Sequence, residues 1–218
     1  MSTKIVIIGG KGTAVVVAEE IIDAIERYGY QGEILGFAFD DPEMDHVLDY
    51  PILCHSYEAK EKFATYEDVK FLYLMYRSDL IKVRSELRDS FNIPKNKYLN
   101  FIHPNATVVK SVKMGCGNIV LTQCVIHSNV VIGDFNTLLP TCHIAHDTKI
   151  GDSNFFAAQC CVGSGIRIGD MNFMGIGSAI RNGTTIGDCN LIGQYANVIN
   201  DAENGITLIG NPARPLIK

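Results

Sequence analysis

The sequence predicts a three-sided parallel β-solenoid over positions 102 to 200, built of rungs of three hexapeptides each, behind a small α/β unit. Three observations predict this. An apolar residue recurs at every sixth position, a Gly-Asp-x-Asn segment recurs at every eighteenth, and strand–helix alternation is confined to the N-terminal part.

The six-residue period is the strongest of the three. Ile102, Val108, Met114, Val120, Ile126, Ile132, Leu138, Ile144, Ile150, Phe156, Val162, Ile168, Met174, Ile180, Ile186, Ile192 and Val198 are all apolar. At average composition such a run arises by chance about once in 100,000 trials. A helix cannot produce it, because 3.6 does not divide six and the stripe would drift. A strand repeats every two residues, so a period of six needs a turn between strands. The second period tells which turns are equivalent. Gly133–Asn136, Gly151–Asn154, Gly169–Asn172 and Gly187–Asn190 repeat one pattern, and Gly115–Asn118 is the same with Cys116 for Asp. Three hexapeptides thus make one rung, and stacking is what satisfies the backbone. The glycines are expected to allow a backbone bend. The asparagines are expected to stack about 4.8 Å apart and share amide hydrogen bonds. The column Cys124, Cys142, Cys160, Ser178, Ala196 reads as small residues packed beside the aliphatics.

Residues 1–98 read differently, and 99–218 form the second domain. Lys4 to Ile8 reads as a buried strand, followed by Gly9, Gly10 and Gly12 and a helix from Thr13 to Tyr28. Glu33 to Phe39 is a second strand, residues 69 to 76 a third, and Ser78 to Phe91 a helix with Ser78 as cap. This alternation predicts a small parallel, Rossmann-like sheet, whose ligands sit at the carboxyl ends of strands. The loop Gly9 to Thr13 and the pair Asp40, Asp41 lie there. The loop could bring N–H groups to a phosphate, or be a plain tight turn; it matches neither the dinucleotide fingerprint nor the P-loop. Pro94 to Pro104 reads as a linker.

Composition narrows the class. The chain has 218 residues and a formal net charge of −5. A nucleic-acid binder would carry a basic patch, and no stretch approaches the length of a membrane span. The seven cysteines show no zinc spacing and read as reduced thiols of a cytoplasmic protein.

The hexapeptide run resembles that of the hexapeptide-repeat acyltransferases. So does the closing segment Ile209-Gly210-Asn211-Pro212-Ala213-Arg214. Gly9-Gly10-Lys11-Gly12, Asp40-Asp41 and the junction Ile102-His103-Pro104-Asn105-Ala106 narrow the resemblance to the sugar O/N-acyltransferase family. That family includes enzymes acetylating bacillosamine precursors, perosamine or sialic acid. The resemblance implies left-handed coiling, acetyl-CoA as co-substrate with no metal, and a homotrimer with active sites between subunits. It also implies a small-molecule sugar substrate in surface-glycan (lipopolysaccharide) biosynthesis. In Ala145-His146-Asp147-Thr148-Lys149-Ile150-Gly151-Asp152 it marks His146 as general base and Asp147 as its partner. It places coenzyme A along Gly163, Ser164 and Gly165 and along Gly175, Gly177 and Ser178. It places the nucleotide sugar near Gly10, Lys11, Gly12, Thr13, Asp40 and Asp41. Two positions depart from the family pattern and leave the acceptor open: Thr13, where histidine is usual, and Leu74-Met75-Tyr76-Arg77.

The chemistry is sensible on its own terms. Acyl transfer needs a base near neutrality, a donor for the oxyanion and two substrates held together. His146, His143 and His127 all compete for the first task. Neighbouring side chains in a strand point oppositely, so His146 and Asp147 can meet only at a corner or at an irregular stretch of backbone. An N–H of residues 163–165 is expected to receive the oxyanion. Outward apolar residues such as Leu121, Leu139 and Phe155 suggest a partner surface or packing on the N-terminal domain. The leading reading is N-acetylation of a nucleotide-linked amino sugar by direct transfer. The alternatives are O-acetylation of a sugar hydroxyl and a scaffold without catalysis.

Overall fold

In the computed structural model, which describes residues 2–216, the chain divides into two compact units, Met1–Pro104 and Asn105–Lys218. In the first unit, β1 (Thr3–Ile8), β2 (Gly32–Ala38), β4 (Tyr50–Cys54) and β5 (Val69–Tyr73) pair in parallel, and β3 (His46–Val47) lies antiparallel to β4. The order β3-β4-β2-β1-β5 places β1 between strands reached in opposite directions. The end of β1 is therefore the topological switch point, where open α/β sheets form their ligand crevice. Ile5 to Ile8 are fully buried. Helix α1 (Thr13–Tyr28) buries Ala14, Val17, Ala18, Ile21 and Ala24, a stripe at helical spacing. It ends at Gly29, whose left-handed backbone lets Tyr30 N–H reach the Ala24 carbonyl.

Three sequence expectations change here. The last helix of this unit runs Ile81–Ser90, with Leu80 at its N-cap and no side-chain cap. Ser78 lies before it, in a turn where Arg77 pairs with Asp79 and Leu80 N–H bonds to the Arg77 carbonyl. The third strand stops at Tyr73, after which Leu74 N–H closes on Ile8. The stretch from Pro94 to Pro104 is no loose linker. Leu99 N–H bonds to Phe71, Tyr98 bridges to Phe71, and Tyr98, Phe101 and His103 are buried. His103 packs edge-on against Tyr28, with Asp23 3.3 Å from its Nε2. The short β3 and β4 escaped the sequence because Pro51 and brevity hide their alternation.

The second unit is a left-handed parallel β-helix. Two-residue strands pair with their equivalents in the rungs before and after, as His143–Ile144 does with Val125–Ile126 and Cys161–Val162. From Val120 to Val198 every sixth residue is no more than 5% exposed, so the aliphatics fill the prism. The asparagine stack runs from Asn118 to Asn172. Asn136, Asn154 and Asn172 each donate from Nδ2 to Oδ1 of the asparagine one rung earlier, at 3.0–3.1 Å. The same Oδ1 atoms accept the backbone N–H of the next asparagine at 2.9 Å. Beside them, Asp134, Asp152 and Asp170 each accept the backbone N–H one rung earlier at 2.7–2.8 Å.

The glycines of these segments have a different role from the one expected. The bend belongs to the x position and its equivalents. Every sixth residue from Gly117 to Tyr195 has φ between 53° and 72°, including Phe135, Ser153 and Met171. The glycines themselves sit where rungs touch: a Cβ on Gly169 would lie 2.0 Å from Asp188 Oδ1. The closing Gly-Asn-Pro-Ala-Arg segment folds back antiparallel, Arg214–Pro215 on Leu208–Ile209, and so covers the edge of that strand. Of the outward apolar residues, Leu121 is fully buried and Phe155 is 5% exposed and stacked on Phe173. Only Leu139 is partly open, so these three do not form an exposed face.

This assignment is testable in pairs. Gly169→Ala should lower stability by about 2 kcal/mol or more, the scale of overpacking. Met171→Gly, at the true bend, should change it by no more than about 1 kcal/mol. Thermal or denaturant unfolding reads both, and the reverse ranking would contradict the stacking role.

Candidate active site

His146 closes one side of the prism and Asp147 occupies the next corner, with φ 59°. That left-handed turn swings the carboxylate back beside its neighbour, and His146 Nδ1 lies 2.7 Å from Asp147 Oδ2. The corner that sequence reasoning required is present. Asp147 Oδ1 accepts a second bond, at 3.0 Å, from Asn129 Nδ2 at the same corner one rung earlier. The backbone is fixed as well. Asp147 N–H bonds to Ser128, and the His146 carbonyl accepts Gly165 N–H at 3.0 Å. The His146 bond first, and the Asn129 amide second, hold the Asp147 carboxyl below the usual carboxylate range. A neutral imidazole that donates Nδ1–H to this carboxylate leaves the Nε2 lone pair facing outward as a base. The two side chains are 61% and 57% exposed, so substrates can reach them.

The competing histidines pair with each other. His127 Nε2 and His143 Nε2 are 3.1 Å apart, so one ring donates to the other. Burial, and then His127, hold the His143 pKa below its ordinary value. Cys124, Cys142 and Cys160 lie inside the coil with sulfurs on backbone carbonyls, which fits their reading as packing residues.

The glycine stretch 163–165 lies one rung above this corner but is not the donor expected. Gly163 N–H bonds to Ile180, Ser164 N–H to Asn182 Oδ1, and Gly165 N–H to His146. All three are engaged in rung stacking, so none remains for an oxyanion. Gly165 offers something else: a Cβ there would meet nothing within 4 Å, so open space flanks the rung above His146. Gly175 and Gly177 also donate within the coil, and Tyr195 lies over Gly177. The Ser178 hydroxyl points inward, 3.5 Å from Cys160 Sγ, and cannot reach a ligand outside.

In the first unit the predicted residues separate into two clefts. Gly10 and Lys11 line one of about 260 Å³ with Gly9, Tyr76, Arg77 and Arg84. It opens at the switch point, and helix α1 begins there with no side-chain cap and no acidic residue in its first turn. Gly12, at φ 56°, and Thr13 form the helix start itself. Gly10 must be glycine, since a Cβ would lie 2.4 Å from the Phe39 ring. Asp41 is 2.5 Å from Lys11 Nζ. Asp40 borders the other cleft, of about 380 Å³, but its carboxylate is engaged by Ser56 N–H, Ser56 Oγ and His55 Nδ1. Asp40 thus ties β2 to the turn after β4. Sequence reasoning missed Asn129, although it stands exactly one rung before Asp147 in the repeat, and it missed Arg84, which no repeat marks.

No protein-family model matches the chain, and no curated protein does. Solved structures do. The acetyltransferase domain of PglB from Neisseria gonorrhoeae is 26% identical, with a TM-score of 0.84, over 99% of this chain and 100% of its own. A structure of that domain with acetyl coenzyme A gives 0.85 at 24% identity over the same shares. PerB from Caulobacter crescentus, in complex with CoA and GDP-perosamine, gives 0.82 at 23% identity over 98% of this chain and 97% of that one. The fold is that of the hexapeptide-repeat sugar acetyltransferases, as the sequence resemblance implied. Among the described residues no helix is long and apolar enough to cross a membrane.

A carboxyl-carbon NMR titration checks the electrostatics. The Asp147 midpoint should fall below the ordinary value of about 3.9, and His146→Ala should move it back up. Any stability the contact adds is fully present above that ordinary value and lost as pH falls through the folded-state midpoint. An unshifted Asp147 midpoint would contradict the geometry.

Proposed function

We propose that this chain is an acetyl-CoA-dependent N-acetyltransferase acting on a nucleotide-linked amino sugar, with His146 as general base. The observation that carries this is an exposed imidazole bonded through Nδ1 to an ionised carboxylate, in a fold whose solved neighbours include acetyltransferases crystallised with coenzyme A. In the reaction the sugar amine attacks the thioester carbonyl. Its proton passes to His146 Nε2, the carbon–sulfur bond breaks, and the proton then goes to the departing thiolate. Asp147 holds the reactive tautomer and favours the imidazolium that forms. No side chain of this chain needs to carry the acyl group, so transfer is direct.

The acyl donor lies along Gly163–Gly165 and Gly175–Gly177 in this reading, where open space beside Gly165 supports it. The nucleotide sugar lies in the first unit, near Gly10, Lys11 and Thr13. The uncapped start of α1 and the Arg84 guanidinium suit a diphosphate. The 1–98 and 99–218 domains of the sequence reading then divide the work between acceptor and donor. The homotrimer that the sequence resemblance implies would meet a physical need. His146 and Asp147 are more than half exposed, and acyl transfer without hydrolysis needs a wall that excludes water. A neighbouring copy would supply it. The cytoplasm, where acetyl-CoA is made and used, is the compartment this implies, and glycan precursor synthesis is the process.

Incubation of the purified chain with acetyl-CoA and a panel of nucleotide sugars, followed by mass spectrometry, tests the reading. An amino-sugar nucleotide should gain one acetyl group stable to mild alkali. A gain only on hydroxyl-bearing sugars, labile to alkali, would point to O-acetylation, and no gain with any acceptor would point to a scaffold. His146→Ala should lower turnover by about 100-fold or more. Arg84→Gln should raise KM for the acceptor by about tenfold, the loss of one charge-assisted bond, with KM for acetyl-CoA unchanged.

A further inference from the structure

We infer that Asn129 is a positioning residue for the general base, acting through Asp147; this rests on the function proposed for His146. A hydrogen bond between two exposed neighbouring side chains has little persistence by itself, because water competes for both partners and both keep their rotamer freedom. Here the second carboxylate oxygen is anchored. Asn129 Nδ2 donates to Asp147 Oδ1 at 3.0 Å while Oδ2 faces His146 Nδ1 at 2.7 Å. Asn129 is itself held, since its backbone N–H bonds to Ser111 Oγ at 3.1 Å. Ser111, Asn129 and Asp147 occupy one corner of three successive rungs, and each fixes the next. The amide is neutral, so it orients the carboxylate without cancelling the charge that the imidazolium needs. Asn129 also tolerates the left-handed corner, with φ 62°.

The test is a double-mutant cycle on the full chain. Asn129→Gly removes the amide without straining the corner, as Gly117, Gly165, Gly177 and Gly183 occupy equivalent positions. Asn129→Asp keeps the shape but sets an acceptor against an acceptor. Each should lower kcat by about tenfold, part of the roughly 100-fold that a full 1 Å misplacement of a catalytic group costs, with KM for both substrates within about twofold and the melting temperature nearly unchanged. In an Asp147→Asn background neither should cause any further loss, because the route through which Asn129 acts is already gone. Independent, multiplying losses would overturn the inference, as would an unchanged kcat in Asn129→Gly. An unaltered kcat in Asp147→Asn alone would likewise overturn the inference, whereas an unaltered kcat in His146→Ala would remove the assignment of the base itself, so the two failures are distinguishable.

Discussion

The backbone of the second unit returns to the same place after every three hexapeptides, one rung higher, and nearly everything else follows from that return. Rungs about 4.8 Å apart leave no room for a Cβ where the Gly-Asp-x-Asn glycines stack. They bring the oxygens of Asn118, Asn136 and Asn154 within reach of both the backbone and the side-chain N–H groups of the next asparagine. The cost falls at the corners. Ten residues with side chains, from Gln123 to Tyr195, adopt the left-handed region, at about 1 kcal/mol each or somewhat more. The ladders of amide, carboxylate and backbone bonds offset that cost only when rungs are stacked, which is why a single rung has no stability of its own.

The same return builds the candidate site. In an ordinary strand His146 and Asp147 would face opposite sides. The corner rotates Asp147 back, and the rung before it supplies Asn129 to hold the far oxygen. The rung after it binds the His146 carbonyl through Gly165. A site made this way is rigid in its backbone yet exposed in its side chains. That combination leaves the imidazole reachable and leaves the exclusion of water to whatever covers it. It also explains why the glycine stretch cannot supply the oxyanion donor: a backbone N–H used to bind one rung to the next is not available to a substrate.

The first unit works by different means. Its ligand crevice is set by strand order, since β1 lies between β2 and β5 and the chain leaves it in two directions. The glycine loop, the uncapped start of α1 and Arg84 meet at that point. Asp40, which the sequence offered as a substrate ligand, proves to be occupied in holding the Ser56 turn. A carboxylate beside a strand end reads the same in sequence whether it awaits a ligand or caps a turn, and only its hydrogen-bond partners tell the two apart.

The linear order of residues was enough to determine the prism, its rung length, the buried hexad, the asparagine stack and the need for a corner between His146 and Asp147, because these depend on periods that the chain repeats about five times. Repetition makes a pattern visible and forces each copy into the same environment. The partners of single residues were decided by the tertiary structure alone. Arg84 enters its cleft through helix phase and strand order, and His127 takes His143 as its partner. Each of these is a contact made once between side chains, so no period records it, and it exists only when the chain has closed on itself.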